Sequence, residues 1–166
     1  MRYAYYAKLK PRQKAIYRRS DEIAKLTLPP DPRFPGLIRS LEHALAAEQR
    51  APVERAAQAL GNAVLEVLEV RPLRIKVLSR RPSTSTSELH GLYEPAETRT
   101  PAVITLWMRT AHHRRVVAFR TFLRTLLHEL CHHLDYELLE LEDSFHTEGF
   151  FKRESSLFKQ LVGRAE

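Results

Sequence analysis

This 166-residue chain has one cysteine, Cys131. A single thiol excludes an intramolecular disulfide and a zinc ribbon built from paired cysteines, so any metal site must draw on His, Asp and Glu. A reducing cytoplasm is the compartment this usage fits. Long apolar runs are also missing. No stretch of about eighteen such residues occurs, which excludes a membrane-spanning helix. The opening Met1-Arg2-Tyr3-Ala4-Tyr5-Tyr6 lacks the apolar core and cleavage site of a secretory signal. Acids are absent from residues 1–20, which carry Arg2, Lys8, Lys10, Arg12, Lys14, Arg18 and Arg19. They are absent again from residues 109–124, with Arg109, Arg114, Arg115, Arg120 and Arg124.

Apolar residues make up 43% of the chain and charged residues 28%, the balance of a soluble globular protein. The length suits one domain, or a small domain with a helical extension. The net charge of +7 favours contact with polyanions, and nucleic acid is the candidate partner. The acids gather in residues 135–148 instead, as Asp135, Glu137, Glu140, Glu142, Asp143 and Glu148.

The order of elements predicts an α+β fold. Residues 12–28 read as a helix with Ala15, Ile16, Ile23, Ala24 and Leu28 inward. Pro29, Pro30, Pro32 and Pro35 then impose an extended loop. Helices follow at 36–49 and from Ala51-Pro52 to about Val70, ended by Pro72. From residue 71 the character changes. Arg74 to Leu78 alternates like a strand, Pro82 to Ser87 is a polar loop, and Leu89 to Glu94 is a second candidate strand. Ala102 to Met108 is the strongest strand, with the β-branched and aromatic content of a half-buried surface. A long helix spans about Val116 to Leu141, and a last one about Phe150 to Val162. This divides the chain into a helical part, 1–70, and a second part, 71–166.

The chemistry concentrates at His128-Glu129-Leu130-Cys131-His132, an H-E-x-x-H pattern inside the long helix. Residues four apart on a helix share a face one turn apart, so both imidazoles can meet one ion at about 2.0–2.1 Å. Glu129 projects beside them, placed to take a proton from water at the metal. An open catalytic zinc site needs a third protein ligand. His146, separated from His132 by thirteen residues and just past the acidic turn, is the expected one. Glu154, after twenty-one intervening residues, is the alternative. Glu148 lies in a crowded acidic loop where a carboxylate is better solvated than bound. The expected reaction is hydrolysis of a peptide bond, with one Zn2+ activating water and Glu129 as general base. His90, Tyr93 and Tyr136 are candidates for steadying the oxyanion. Asp135 is a candidate for orienting a ligand histidine.

Four further residues carry no expected chemistry. His133 points about a hundred degrees away from the ligand face. Cys131 is a small buried residue. His112 and His113 lie in an exposed basic linker. Strand Val103–Met108 is the candidate to bind an extended peptide by strand addition, if it lies at a sheet edge.

With His128-Glu129-Leu130-Cys131-His132 followed by His146-Thr147-Glu148-Gly149-Phe150-Phe151, residues 71–166 look like a zincin metallopeptidase of the SprT-like group. The resemblance lies in a strand before the active-site helix, the motif on that helix, and a third His followed by an aromatic and a closing helix. It implies a zincin-like catalytic domain, with His128, His132 and His146 as zinc ligands and Glu129 as general base. It implies a protein or peptide substrate, associated with DNA in some relatives. Two departures stand out. Some relatives carry a cysteine zinc ribbon, which this chain cannot form, and several have glycine after the third His where this chain has Thr147. Residues 1–70 have no counterpart in the resemblance. Three rival readings remain: a gluzincin-like peptidase with Glu154 as third ligand, a DNA-binding or regulatory protein with a vestigial zinc site, and a metal-stabilised protein without catalysis.

Overall fold

A computed structural model describes residues 2–80, 91–111 and 113–163. A short 3-10 helix, Ala4–Lys8, precedes α1 (Pro11–Glu22), α2 (Phe34–Ala46) and α3 (Arg50–Val67). Strands β1 (Arg74–Arg80), β2 (Gly91–Glu94) and β3 (Val103–Arg109) follow, then α4 (Phe119–Glu137) and α5 (Glu148–Gly163). Among the described residues this is an α+β fold with five α-helices and one three-stranded mixed sheet. No helix among them is long and apolar enough to cross a membrane. The expected polar loop Pro82–Ser87 and the first residues of the expected second strand lie outside the described residues.

The first helix ends six residues earlier than its periodicity predicts. Beyond Glu22 the chain turns extended at Ile23, and only alternate residues, Leu26 and Leu28, are buried. Tertiary hydrogen bonds replace the helical ones. Gln160 of α5 takes the Leu28 N–H at 2.9 Å and donates to the Leu26 carbonyl at 2.8 Å. Ile16, Tyr17 and Ser20 form the buried stripe of α1, whereas Ala15 and Ala24 are exposed. Pro35 does not prevent a helix. It sits in the first turn of α2, where a missing N–H breaks no bond.

The sheet order is β1-β3-β2. Strand β3 pairs in parallel with β1 (Ile75 with Ile104) and antiparallel with β2 (Gly91 with Leu106). This corrects the expectation for Val103–Met108: the strand is central, both its edges are paired, and no peptide can add to it. Ile104 through Met108 are all buried, as befits a strand covered on both faces. The outer edge of β1 is closed by polar side chains of α3. Gln58 accepts from the Ile75 N–H and donates to the Leu73 carbonyl, Glu54 accepts from the Val77 N–H, and Arg50 donates to the Val77 carbonyl. Among the described residues, β2 is therefore the edge left open.

Helix α4 begins after Val116, which forms an isolated antiparallel bridge with Arg109 of β3, and ends at Glu137. Leu123, Leu126, Leu127, Leu130 and Leu134 are fully buried on one face. Each such side chain stabilises the fold by roughly 1.5–3 kcal/mol, which fixes how the helix is rotated about its axis. One buried cluster joins Leu41 and Leu60 from the first half of the chain to Ile104, Leu130 and Phe158 from the second.

Candidate metal centre

The rotation of α4 decides what its polar residues face. With the leucines inward, His128 and His132 share the flank that faces the turn between α4 and α5. That turn brings up His146. The Nε2 atoms of His128 and His146 lie 3.1 Å apart, and those of His146 and His132 lie 3.0 Å apart. Among the described residues these three form the only group of His, Cys, Asp or Glu whose ligand atoms come close enough to hold a metal ion. Three nitrogens around a tetrahedral zinc, each at about 2.0–2.1 Å, stand roughly 3.3 Å apart. The spacing found fits that geometry after the rings open by a few tenths of an ångström.

The far ring nitrogens explain why the near ones are free to bind. His128 Nδ1 faces Glu154 Oε1 at 2.8 Å. A carboxylate oxygen accepts, so the ring proton sits on Nδ1 and leaves Nε2 with its lone pair. His132 Nδ1 meets Ser144 Oγ at 2.7 Å, and the Ser144 hydroxyl donates to Asp135 Oδ2 at 2.7 Å. With its own hydrogen committed, Ser144 accepts from His132 Nδ1, and Nε2 is again free. Burial, with the neighbouring His128 and His146, lowers the His132 pKa to about 3 and lowers that of His146 as well. Both rings therefore stay neutral, which is the ligand form.

Asp135 thus acts on His132 through Ser144. Its other oxygen, Oδ1, accepts from Arg153 at 3.0 Å, and both side chains are fully buried. Burial pushes the Asp135 carboxyl upward, against the guanidinium and the Ser144 hydroxyl. Arg153 also donates to the carbonyls of Ser20 at 2.5 Å and Ile23 at 2.6 Å, while its Nε has no partner among the described residues. Glu154 sits beside the outer nitrogen of His128 and outside the cluster of near nitrogens. Phe150, fully buried, lies under all three imidazoles with ring centroids 4.8–5.2 Å away.

Glu129 is 6% exposed and lines the same cleft as the three histidines, a cavity of about 640 Å³. Burial raises its pKa to about 7, with the His128 side chain pulling it back down. Gly91 on β2 makes this packing possible. A Cβ there would come within 2.9 Å of both Glu129 Oε1 and Thr125 Cγ2, so a larger residue would have to push these side chains aside for the edge strand to close over the carboxylate.

His133 is fully buried and outside the cluster. Its Nε2 donates to the Arg71 carbonyl at 2.7 Å, so its Nδ1 accepts from the Tyr93 hydroxyl at 2.8 Å. The Tyr93 proton is therefore committed inward, while its ring stacks 6.2 Å from His132. The Tyr136 hydroxyl is directed to Asp143 Oδ1 at 3.3 Å. His90 and His112 lie outside the described residues, and His113 is exposed. Cys131 is buried, and burial pushes its thiol well above the usual range, far from a ligand thiolate. Glu148 is partly exposed at the start of α5 and pairs with Lys152.

Sequence patterning did not reveal Ser144, Arg153, Phe150, Gly91 or Arg124 as parts of this site. Arg124 lines the cleft one turn before His128, its guanidinium 4.2 Å from the Phe158 ring. The helical spacing 124–128–132 is the one signal that pointed to it.

No family model matches the chain, and neither a curated protein nor a solved structure matches it.

Proposed function

We propose that the protein is a zinc-dependent endopeptidase of zincin type, akin to the SprT-like group, with His128, His132 and His146 as ligands and Glu129 as general base. The observation that carries this reading is the convergence of three imidazole nitrogens beside a nearly buried carboxylate in one cleft. Three nitrogen donors with room left in the cleft suit a catalytic ion better than a closed structural one. When bound, such an ion supplies Lewis acidity toward water and toward the carbonyl to be cleaved.

The chain's own residues supply the rest. Glu129 receives the proton of the attacking water and returns it to the leaving amine. Its raised pKa, about 7 without an ion, is that of a group able to hold a proton and release it near neutrality. Glu154 and Ser144 keep the ligand rings in the binding tautomer. The open edge of β2, beside Glu129, offers backbone groups to an extended peptide. Because Tyr93 commits its proton to His133, it offers a cleft ligand an accepting oxygen and a ring face. The exposed Arg114, Arg115, Arg120 and Arg124 support a substrate associated with polyanions such as DNA.

The test is hydrolysis of an unfolded protein by the zinc-loaded chain, with and without DNA. Glu129→Gln should lower the rate about 10²–10⁴-fold while zinc stays bound at one per chain. Equal rates for the two proteins, or no hydrolysis by the wild type, would sink the proposal. In the second case a vestigial metal site on a binding protein becomes the better reading.

A further inference from the structure

The segment that carries His146 is gripped by the start of the chain on both sides of that residue. The Tyr5 hydroxyl donates to the backbone carbonyl of His146 at 2.6 Å. Before it, Arg12 forms an ion pair with Glu142 at 2.6 Å, and the Tyr5 and Tyr17 rings pack on Phe145 with centroids 6.5 and 6.3 Å away. After it, Ser20 Oγ meets Thr147 Oγ1 at 3.1 Å, and Asp21 accepts from the Gly149 N–H at 3.0 Å. The Thr147 hydroxyl also caps α5 by accepting from the Phe150 N–H at 2.9 Å. The grip is itself anchored: Tyr17 is fully buried, and its hydroxyl accepts from the Tyr3 N–H at 3.1 Å. Gly149 packs directly on this end of α1, where a Cβ would lie 2.5 Å from the Asp21 carbonyl oxygen.

His128 and His132 are oriented by partners on their outer ring nitrogens. His146 is oriented through its backbone, and the side chain that does so belongs to the segment before α1. We propose that Tyr5 is a positioning residue for the third metal ligand, and that residues 2–10 form a strap whose docking is coupled to occupancy of the metal site. This rests on the three histidines binding a metal and does not require catalysis. A loop released from its strap must be ordered again when His146 takes up the ion, at a cost in conformational entropy. A docked strap has already ordered it, so the strap raises metal affinity. Metal binding must then favour strap docking by the same factor.

Two measurements on the full chain test this, with zinc as the probe. In a competition titration, Tyr5→Phe keeps the ring packing and loses one hydrogen bond. Its zinc affinity should fall on the order of 10-fold, with little change in the melting temperature of the metal-free protein. In a His146→Ala background the same substitution should leave residual zinc binding unchanged. In limited trypsin digestion of the wild type, zinc should slow cleavage after Lys8, and His146→Ala should abolish that protection. Unchanged zinc affinity in Tyr5→Phe, or equal losses of melting temperature with and without zinc, would make Tyr5 a stability residue only and overturn the proposal. Cleavage after Lys8 at one rate with and without zinc would overturn it as well. Failure of the wild type to bind zinc would overturn the metal-site reading along with it, whereas the other outcomes leave that reading standing.

Discussion

The three imidazoles of the cluster are held in two different ways. His128 and His132 stand on α4, whose orientation is set by five buried leucines, so their relative position follows from the pitch of one helix. His146 stands on an irregular stretch between Glu137 and Glu148, and its position depends on Tyr5, Arg12, Ser20 and Asp21 from the other end of the chain. Local geometry supplies a pair of ligands at little cost in order. A third candidate ligand on a loop must borrow its rigidity, and His146 borrows it from α1 and the segment before it.

The sharpest way to break this contrast is to remove one ligand of each kind. Either His132→Ala or His146→Ala should abolish stoichiometric zinc binding, measured by metal analysis after dialysis against a weak chelator. Zinc retained at one per chain in His146→Ala would bring Glu154 forward as third ligand and dissolve the contrast. Asp135→Ala attacks the point where the two regions meet, since Asp135 is on α4 and Arg153 reaches from α5 to the α1 end. It leaves a fully buried guanidinium unpaired and should cost about 3–5 kcal/mol in chemical denaturation. A loss below about 1 kcal/mol would show that Arg153 finds other partners. Ser144→Ala removes the bridge between Asp135 and His132 with little effect on packing, and should weaken zinc binding about 10–100-fold. Glu154→Gln, at the other helix-borne ligand, should fall in the same range.

The effect of Glu129 on the stability of the metal-free protein depends on pH. The folded-state pKa of about 7 lies above the ordinary carboxylate value of 4.5, so the folded chain holds this proton more tightly than the unfolded chain does. The stability associated with that proton is full below about pH 4.5 and is lost as the pH rises through about 7. Glu129→Gln cannot ionise, so in metal-free protein it should be more stable than wild type above pH 7, by on the order of 1–3 kcal/mol. The gain should vanish near pH 4.5. A difference independent of pH would mean that the buried carboxylate is not the source.

Much of this site was legible in the residues. The H-E-x-x-H spacing has one natural reading on an amphipathic helix, and the leucine periodicity of 122–134 places that helix against a core. His146 was legible as a candidate because it follows the turn that reverses the chain. Glu154 was legible too, as a carboxylate near the site, though spacing could not tell a ligand from a group that orients one. The helix predicted over 12–28 overran because Ile23, Ala24 and Leu28 continue the helical spacing of Ile16, whereas the buried pair Leu26 and Leu28 follows the alternation of an extended chain. The backbone bonds that decided between them come from Gln160, far along the chain. The edge strand could not be found from sequence, because β-propensity measures fit to a pleated surface and says nothing of neighbours.

By itself, the sequence determined what is periodic within one element: which face of α4 is buried, that His128 and His132 share a flank, and that Glu129 lies beside them. Those properties follow from a repeat of 3.6 residues and need no partner. Tertiary structure alone decided the tautomers of the two rings, the closure of β2 over Glu129 at Gly91, and the place of His146. Each of these depends on contacts between residues far apart in the chain, and no local pattern encodes such a contact.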